Sequence, residues 1–127
     1  MKLFQFIIYT ADQKQSTCFY RKLLLAEPVL EVPGMTEFQL SPFLKLGIMP
    51  ENGIAKILTE KTKHPASGSG IPRCEIYLLL ENLYPYYERA KELGALLISD
   101  IADRDWGHRV CYFADPDGHI LAFAEEL

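Results

Sequence analysis

Trp106-Gly107-His108-Arg109-Val110-Cys111-Tyr112-Phe113-Ala114-Asp115-Pro116-Asp117-Gly118-His119 is the stretch whose reading decides the fold of this 127-residue chain. Pro-Asp-Gly marks a tight turn: proline presets φ, aspartate bonds its neighbouring backbone, and glycine supplies a positive φ. Apolar segments flank the turn, Arg109 to Ala114 before it and Ile120 to Ala124 after it. The stretch therefore reads as a hairpin closing a C-terminal sheet.

Upstream of the hairpin lies a full cycle of elements. Cys74 to Leu80 is a strand, Asn82 a helix cap, Gly94 a helix stop, and Leu96 to Ile101 another strand. The same cycle precedes it. Leu3 to Thr10 is aromatic and β-branched, hence a strand. Asp12 caps a helix that carries Phe19, Tyr20, Leu23 and Leu24 on one side and runs to about Leu25. Short strands follow at 29–32, 36–41 and 43–49, then a short helix over 51–60. The expected fold is α+β, built from paired βαβββ modules that form a cupped mixed sheet. One domain over 1–127 divides into a first module at 1–60, a linker or lid at 61–72 and a second module at 73–127.

Composition narrows the function. Apolar residues make up 49% of the chain and the net charge is -4, which argues against a general nucleic-acid binder, because phosphates call for a basic face. No apolar run approaches the length of a membrane span, and the first residues lack the apolar core of a signal peptide. The odd set of cysteines, Cys18, Cys74 and Cys111, reads as reduced thiols of a cytoplasmic protein.

Strand alternation sorts the candidate site residues. Gln5, Ile7 and Tyr9 share one face of the first strand, and Glu75, Tyr77 and Leu79 share one face of the fifth. These mixed faces are expected to line the open side of a cup, because small-molecule sites combine apolar walls with a few convergent polar groups. Trp106, His108 and Arg109 join them from the last hairpin. The expected ligand-binding set is Gln5, Tyr9, Glu75, Tyr77, Trp106, His108 and Arg109. No residues are assigned a catalytic role, since no nucleophile has a neighbouring base.

The opening strand with Asp12 and Phe19-Tyr20, the restart near Glu75, and the ending from Trp106 through Asp115-Pro116-Asp117-Gly118 resemble the vicinal oxygen chelate superfamily. This is the glyoxalase, bleomycin-resistance and extradiol-dioxygenase group. The resemblance implies a homodimer and a small-molecule ligand. In metal-dependent members, ligands stand on the first, fourth, fifth and eighth strands. Those places fall on Gln5, about Leu46, Glu75 and Ala122, of which only Glu75 is a good ligand. The three histidines, His64, His108 and His119, are dispersed, and His119 reads as decoration of the turn. The resemblance therefore implies the branch lacking the usual metal ligands: a small-molecule-binding protein without a catalytic metal or other cofactor. Its alternative is a metal-dependent lyase, isomerase or dioxygenase.

Overall fold

A computed structural model describes residues 1–127. The chain divides into two compact units, Met1–Arg21 with Leu25–Ser69, and Lys22–Leu24 with Gly70–Leu127. Its strands are β1 (Phe4–Thr10), β2 (Leu30–Val32), β3 (Met35–Ser41), β4 (Leu44–Pro50), β5 (Glu75–Leu79), β6 (Leu96–Asp103), β7 (His108–Ala114) and β8 (Ile120–Glu126). The helices are α1 (Gln13–Leu24), α2 (Glu51–Leu58) and α3 (Tyr84–Glu92). The fold is α+β, and each unit is a βαβββ module with its own mixed sheet.

In the first sheet the order is β1-β4-β3-β2, with β1 parallel to β4 and the other neighbours antiparallel. Asp12 caps α1 as its residue type predicts, its Oδ1 accepting the Gln15 amide at 3.1 Å. Ile8, Phe19, Tyr20, Phe38, Leu46 and Ile48 are buried. Even-numbered positions of β1 turn inward here, with Ile8 and Thr10 buried, while Gln5, Ile7 and Tyr9 are half-buried.

The second sheet repeats the plan as β5-β8-β7-β6, with β5 parallel to β8. Under α3, Tyr87 packs edge-on against Phe113 and Tyr86 tilts against Phe123. Leu83, Ala90, Cys111, Phe113, Leu121 and Phe123 are buried. The α3 helix starts at Tyr84, two residues beyond the expected cap. Asn82 still accepts the Tyr84 amide at 3.0 Å, and the Leu83 amide donates to Glu125. Gly94 ends the helix at φ +78, a conformation that glycine adopts without a Cβ clash.

The segment between Leu58 and β5 contains a 3-10 turn at Pro65–Gly68, capped by His64, whose Nδ1 accepts the Ala66 amide. No helix is long and apolar enough to cross a membrane.

Candidate functional site

Strand register decides which side chains of the second unit meet. Tyr77 stands opposite Ala122, which stands opposite Tyr112; Ala124 faces Val110, and Glu126 faces His108. Directly opposed residues point to the same side of a sheet. Tyr77, His108, Val110, Tyr112, Ala122 and Ala124 therefore share one face, away from α3. Tyr77 and Tyr112 pack against a small-residue floor of Val110, Ala122 and Ala124.

The tight β6–β7 turn completes this face. The Arg104 amide donates to the His108 carbonyl, and Gly107 donates back to the Arg104 carbonyl at φ +88. The turn carries Arg104 and Trp106 beside His108. Tyr77 Oη lies 2.9 Å from Trp106 Nε1 and 2.7 Å from His108 Nδ1. An indole N–H only donates, so the phenol oxygen accepts from Trp106. The structure thus brings together Tyr77, Trp106 and His108 from the sequence-predicted set. Glu75, exposed at the start of β5, lies close enough to act on Tyr112. Burial first, then the Glu75 charge, raises the Tyr112 phenol above its ordinary range.

Arg109 goes the other way. One residue beyond His108, it takes the opposite face, where its Nε donates to Asp103 at 2.8 Å and Nη1 lies 3.7 Å from Glu125. The hydrogen bond to Asp103 raises its pKa further. Arg104, which no sequence signal singled out, is the arginine on the Tyr77 face. Its guanidinium sits over the Tyr112 ring, 5.4 Å from the centroid, and Nη2 donates to Ser99.

In the first unit, Gln5 donates to Glu37 at 2.6 Å, and Lys45 Nζ lies 3.4 Å from the other oxygen of that carboxylate. The register β1–β4 pairs Gln5 with Lys45 and Ile7 with Gly47. Leu46 instead pairs with Phe6 and Phe38 and is buried. The strand-four position on Gln5's face is therefore Lys45 or Gly47, one residue from the Leu46 expected by counting. Neither is a metal ligand here: Lys45 is an ion-paired cation and Gly47 has no side chain. Tyr9 is half-buried on the same strand face as Gln5.

The reading of a chain without metal ligands is corrected by the β7–β8 turn. Asp115, Asp117 and His119 place their ligand atoms within 4.8 Å of one another, two carboxylates and an imidazole. That donor set suits a divalent cation. The sequence expectation considered ligands on strands and took His119 as decoration. It missed that a tight turn folds positions i, i+2 and i+4 onto one another. Asp115 organises this turn: its Oδ1 accepts the amides of Asp117 and His119, both at 2.9 Å. The family's strand positions do not fit a cation, because Gln5 is held by Glu37 and Ala122 offers no donor; the turn does.

The thiols offer no nucleophile near these groups. Burial pushes Cys111 up to about 11, partly offset by backbone hydrogen bonding with Phe123. Cys74 is exposed and Cys18 half-buried. The first unit has grooves of about 540 Å³, along Asp12, Gln13, Thr17 and Val32, and about 490 Å³, along Lys56, Thr59, Lys63 and His64. Neither is lined by Gln5 or Tyr9, so groove volume and the chemistry-bearing strand faces do not coincide.

A family model for the glyoxalase/bleomycin resistance protein/dioxygenase superfamily matches residues 2–123. The chain belongs to this superfamily. An uncharacterised protein of Mycobacterium bovis is 27% identical over 119 residues, covering 91% of this chain and 78% of that protein. Among superfamily-like folds, the crystal structure of a glyoxalase-related enzyme from Fulvimarina pelagi superposes with a TM-score of 0.81 at 20% identity. That match covers 96% of this chain and 86% of the other. Lactoylglutathione lyase from Agrobacterium tumefaciens gives 0.74 at 18% identity, covering 97% and 92%. At such identities the structures carry the fold alone.

Proposed function

We propose that this protein is a divalent-metal-dependent enzyme of the superfamily, a lyase, isomerase or dioxygenase in type, acting on a small molecule. The observation that carries the reading is the convergence of Asp115, Asp117 and His119 within 4.8 Å. These three residues would hold the cation, which when bound supplies Lewis acidity toward an oxygen of the substrate. From the turn, the face runs onward through Glu75, which pairs with Ile120, to Tyr77 and Tyr112. The tyrosines and Trp106 supply flat apolar walls with polar edges, and Glu75 accepts hydrogen bonds from a substrate hydroxyl or amine. Arg109, ion-paired with Asp103 on the opposite face, is not assigned to this substrate. The superfamily resemblance further supports a homodimer in the cytoplasm; exposed Leu96 and Ile98 on the edge strand β6 supply apolar surface for association.

Calorimetric titration with Mn²⁺, Ni²⁺, Zn²⁺ and Fe²⁺ tests the cation, followed by a turnover screen of the loaded protein. One ion per chain, abolished in Asp117→Asn/His119→Ala, together with turnover that depends on it, is the expected result. Absence of stoichiometric binding by all four ions overturns the reading.

A further inference from the structure

We infer that Arg104 is the anion-anchoring residue of the second unit, and that the face it completes takes a small planar carboxylate with an aromatic or unsaturated body. The inference names a ligand class for the face proposed to hold the small molecule; it rests on that assignment and not on the cation.

Arg104 leaves most of its hydrogen-bonding capacity unused. A guanidinium carries five N–H donors and a permanent charge. Arg104 spends one donor on the Ser99 hydroxyl. Its Nε is sealed from solvent with no acceptor. No carboxylate pairs with it, whereas Arg21, Lys45 and Arg109 each have acidic partners within 4.0 Å. A partly desolvated cation whose only companions are a hydroxyl and a π face is short of an anion.

Its setting selects what that anion is attached to. The guanidinium lies over Tyr112, and Tyr112 shares the Val110, Ala122 and Ala124 floor with Tyr77. The floor beneath the two rings is made of small side chains, and Trp106, 56% exposed, stands beside them hydrogen-bonded to Tyr77. A carboxylate fits the terminal nitrogens of the guanidinium, and a planar body attached to it stacks on the aromatic walls. The β6–β7 turn fixes this geometry through the two backbone bonds between Arg104, Gly107 and His108. Arg104 is thus held by the same turn that presents Trp106 and His108.

Benzoate is the probe, with benzamide as its neutral isostere and inorganic phosphate as an anion lacking the ring. Binding is read from the fluorescence of Trp106, the only tryptophan, and from the indole N–H resonance. Benzoate is expected to saturate both signals, with benzamide and phosphate each at least about tenfold weaker, as loss of a charged hydrogen-bonded contact implies. Arg104→Gln should weaken benzoate by about tenfold or more, Arg104→Lys by less, and Arg109→Gln not at all. Thermal melting of each variant verifies its fold. Protein kept metal-free in chelator should bind benzoate as the untreated protein does, so failure of the cation reading leaves this result intact. Equal benzoate affinity in Arg104→Gln, equal affinity for benzamide, or no saturable benzoate signal would each overturn the inference.

Discussion

Gly47 leaves the space that the Gln5 side chain fills. A Cβ built on Gly47 would lie 2.6 Å from Gln5 Nε2 and 2.9 Å from Ile7 Cγ1. Both distances are shorter than real Cβ contacts. The missing side chain is thus what lets the Gln5 amide lie over β4 and reach Glu37 at 2.6 Å.

Gly47→Ala should therefore destabilise the protein by about 1–3 kcal/mol, the usual cost of overpacking. Chemical denaturation measures it. Because Gln5 Nε2 is the end of a flexible chain, Gln5→Ala in the same background should recover part of the loss. Additive effects of the two substitutions would place the strain on Ile7 instead.

Tyr77→Phe removes the oxygen that Trp106 donates to and that His108 shares. The expected cost is about 0.5–1.5 kcal/mol, since Trp106 retains access to water. The indole N–H resonance should shift in this variant. An unmoved resonance would show that the Tyr77–Trp106 bond is not populated in solution.

Cys111 makes stability depend on alkaline pH. Its folded pKa is raised from the ordinary 9.0 to about 11 by burial. Between these values the unfolded chain releases the thiol proton while the folded chain keeps it. Stability is then fully present below about pH 9 and falls as pH rises toward about 11, at most by about 1.4 kcal/mol per pH unit. Denaturation midpoints of Cys111→Ala should lose this component of the slope relative to the parent. In a parallel thiol-labelling experiment at pH 8, Cys74 should react first and Cys111 only on unfolding.

The β7–β8 turn separates two roles that one aspartate combines. Asp115→Ala should destabilise the protein without any cation, by about 1.5–3 kcal/mol, because two half-buried amides lose their side-chain acceptor. A bound divalent ion at a hundredfold its Kd should add about 2.7 kcal/mol to the parent. Chelator should reverse that gain. A gain of equal size in Asp117→Asn/His119→Ala would locate the ion elsewhere.

The double cycle of strands and helices was legible because local signals agreed with one another. Asp12 caps α1, Gly94 ends α3, and the Pro-Asp-Gly turn joins β7 to β8. Alternation along β5 also put Tyr77 on the side away from the helix. What it could not supply was phase between strands. Counting placed the fourth-strand position at Leu46, but the parallel register sets Lys45 beside Gln5. Parallel neighbours meet through a long crossover, so no turn in the sequence pins their register. Arg104 was missed because its side chain finds Tyr112 only after the hairpin forms, and Asp115, Asp117 and His119 because their convergence is a property of the folded turn.

His108 and Arg109 are adjacent in the chain and occupy opposite faces of β7. The four residues Arg104 to Gly107 act as a reading frame for everything that follows. Deleting or inserting a single residue there would exchange imidazole for guanidinium on the tyrosine side, leaving composition almost untouched. Relatives that differ in the length of this one turn would present different chemistry from nearly the same letters. Specificity on this scaffold is therefore open to change by insertion and deletion as readily as by substitution.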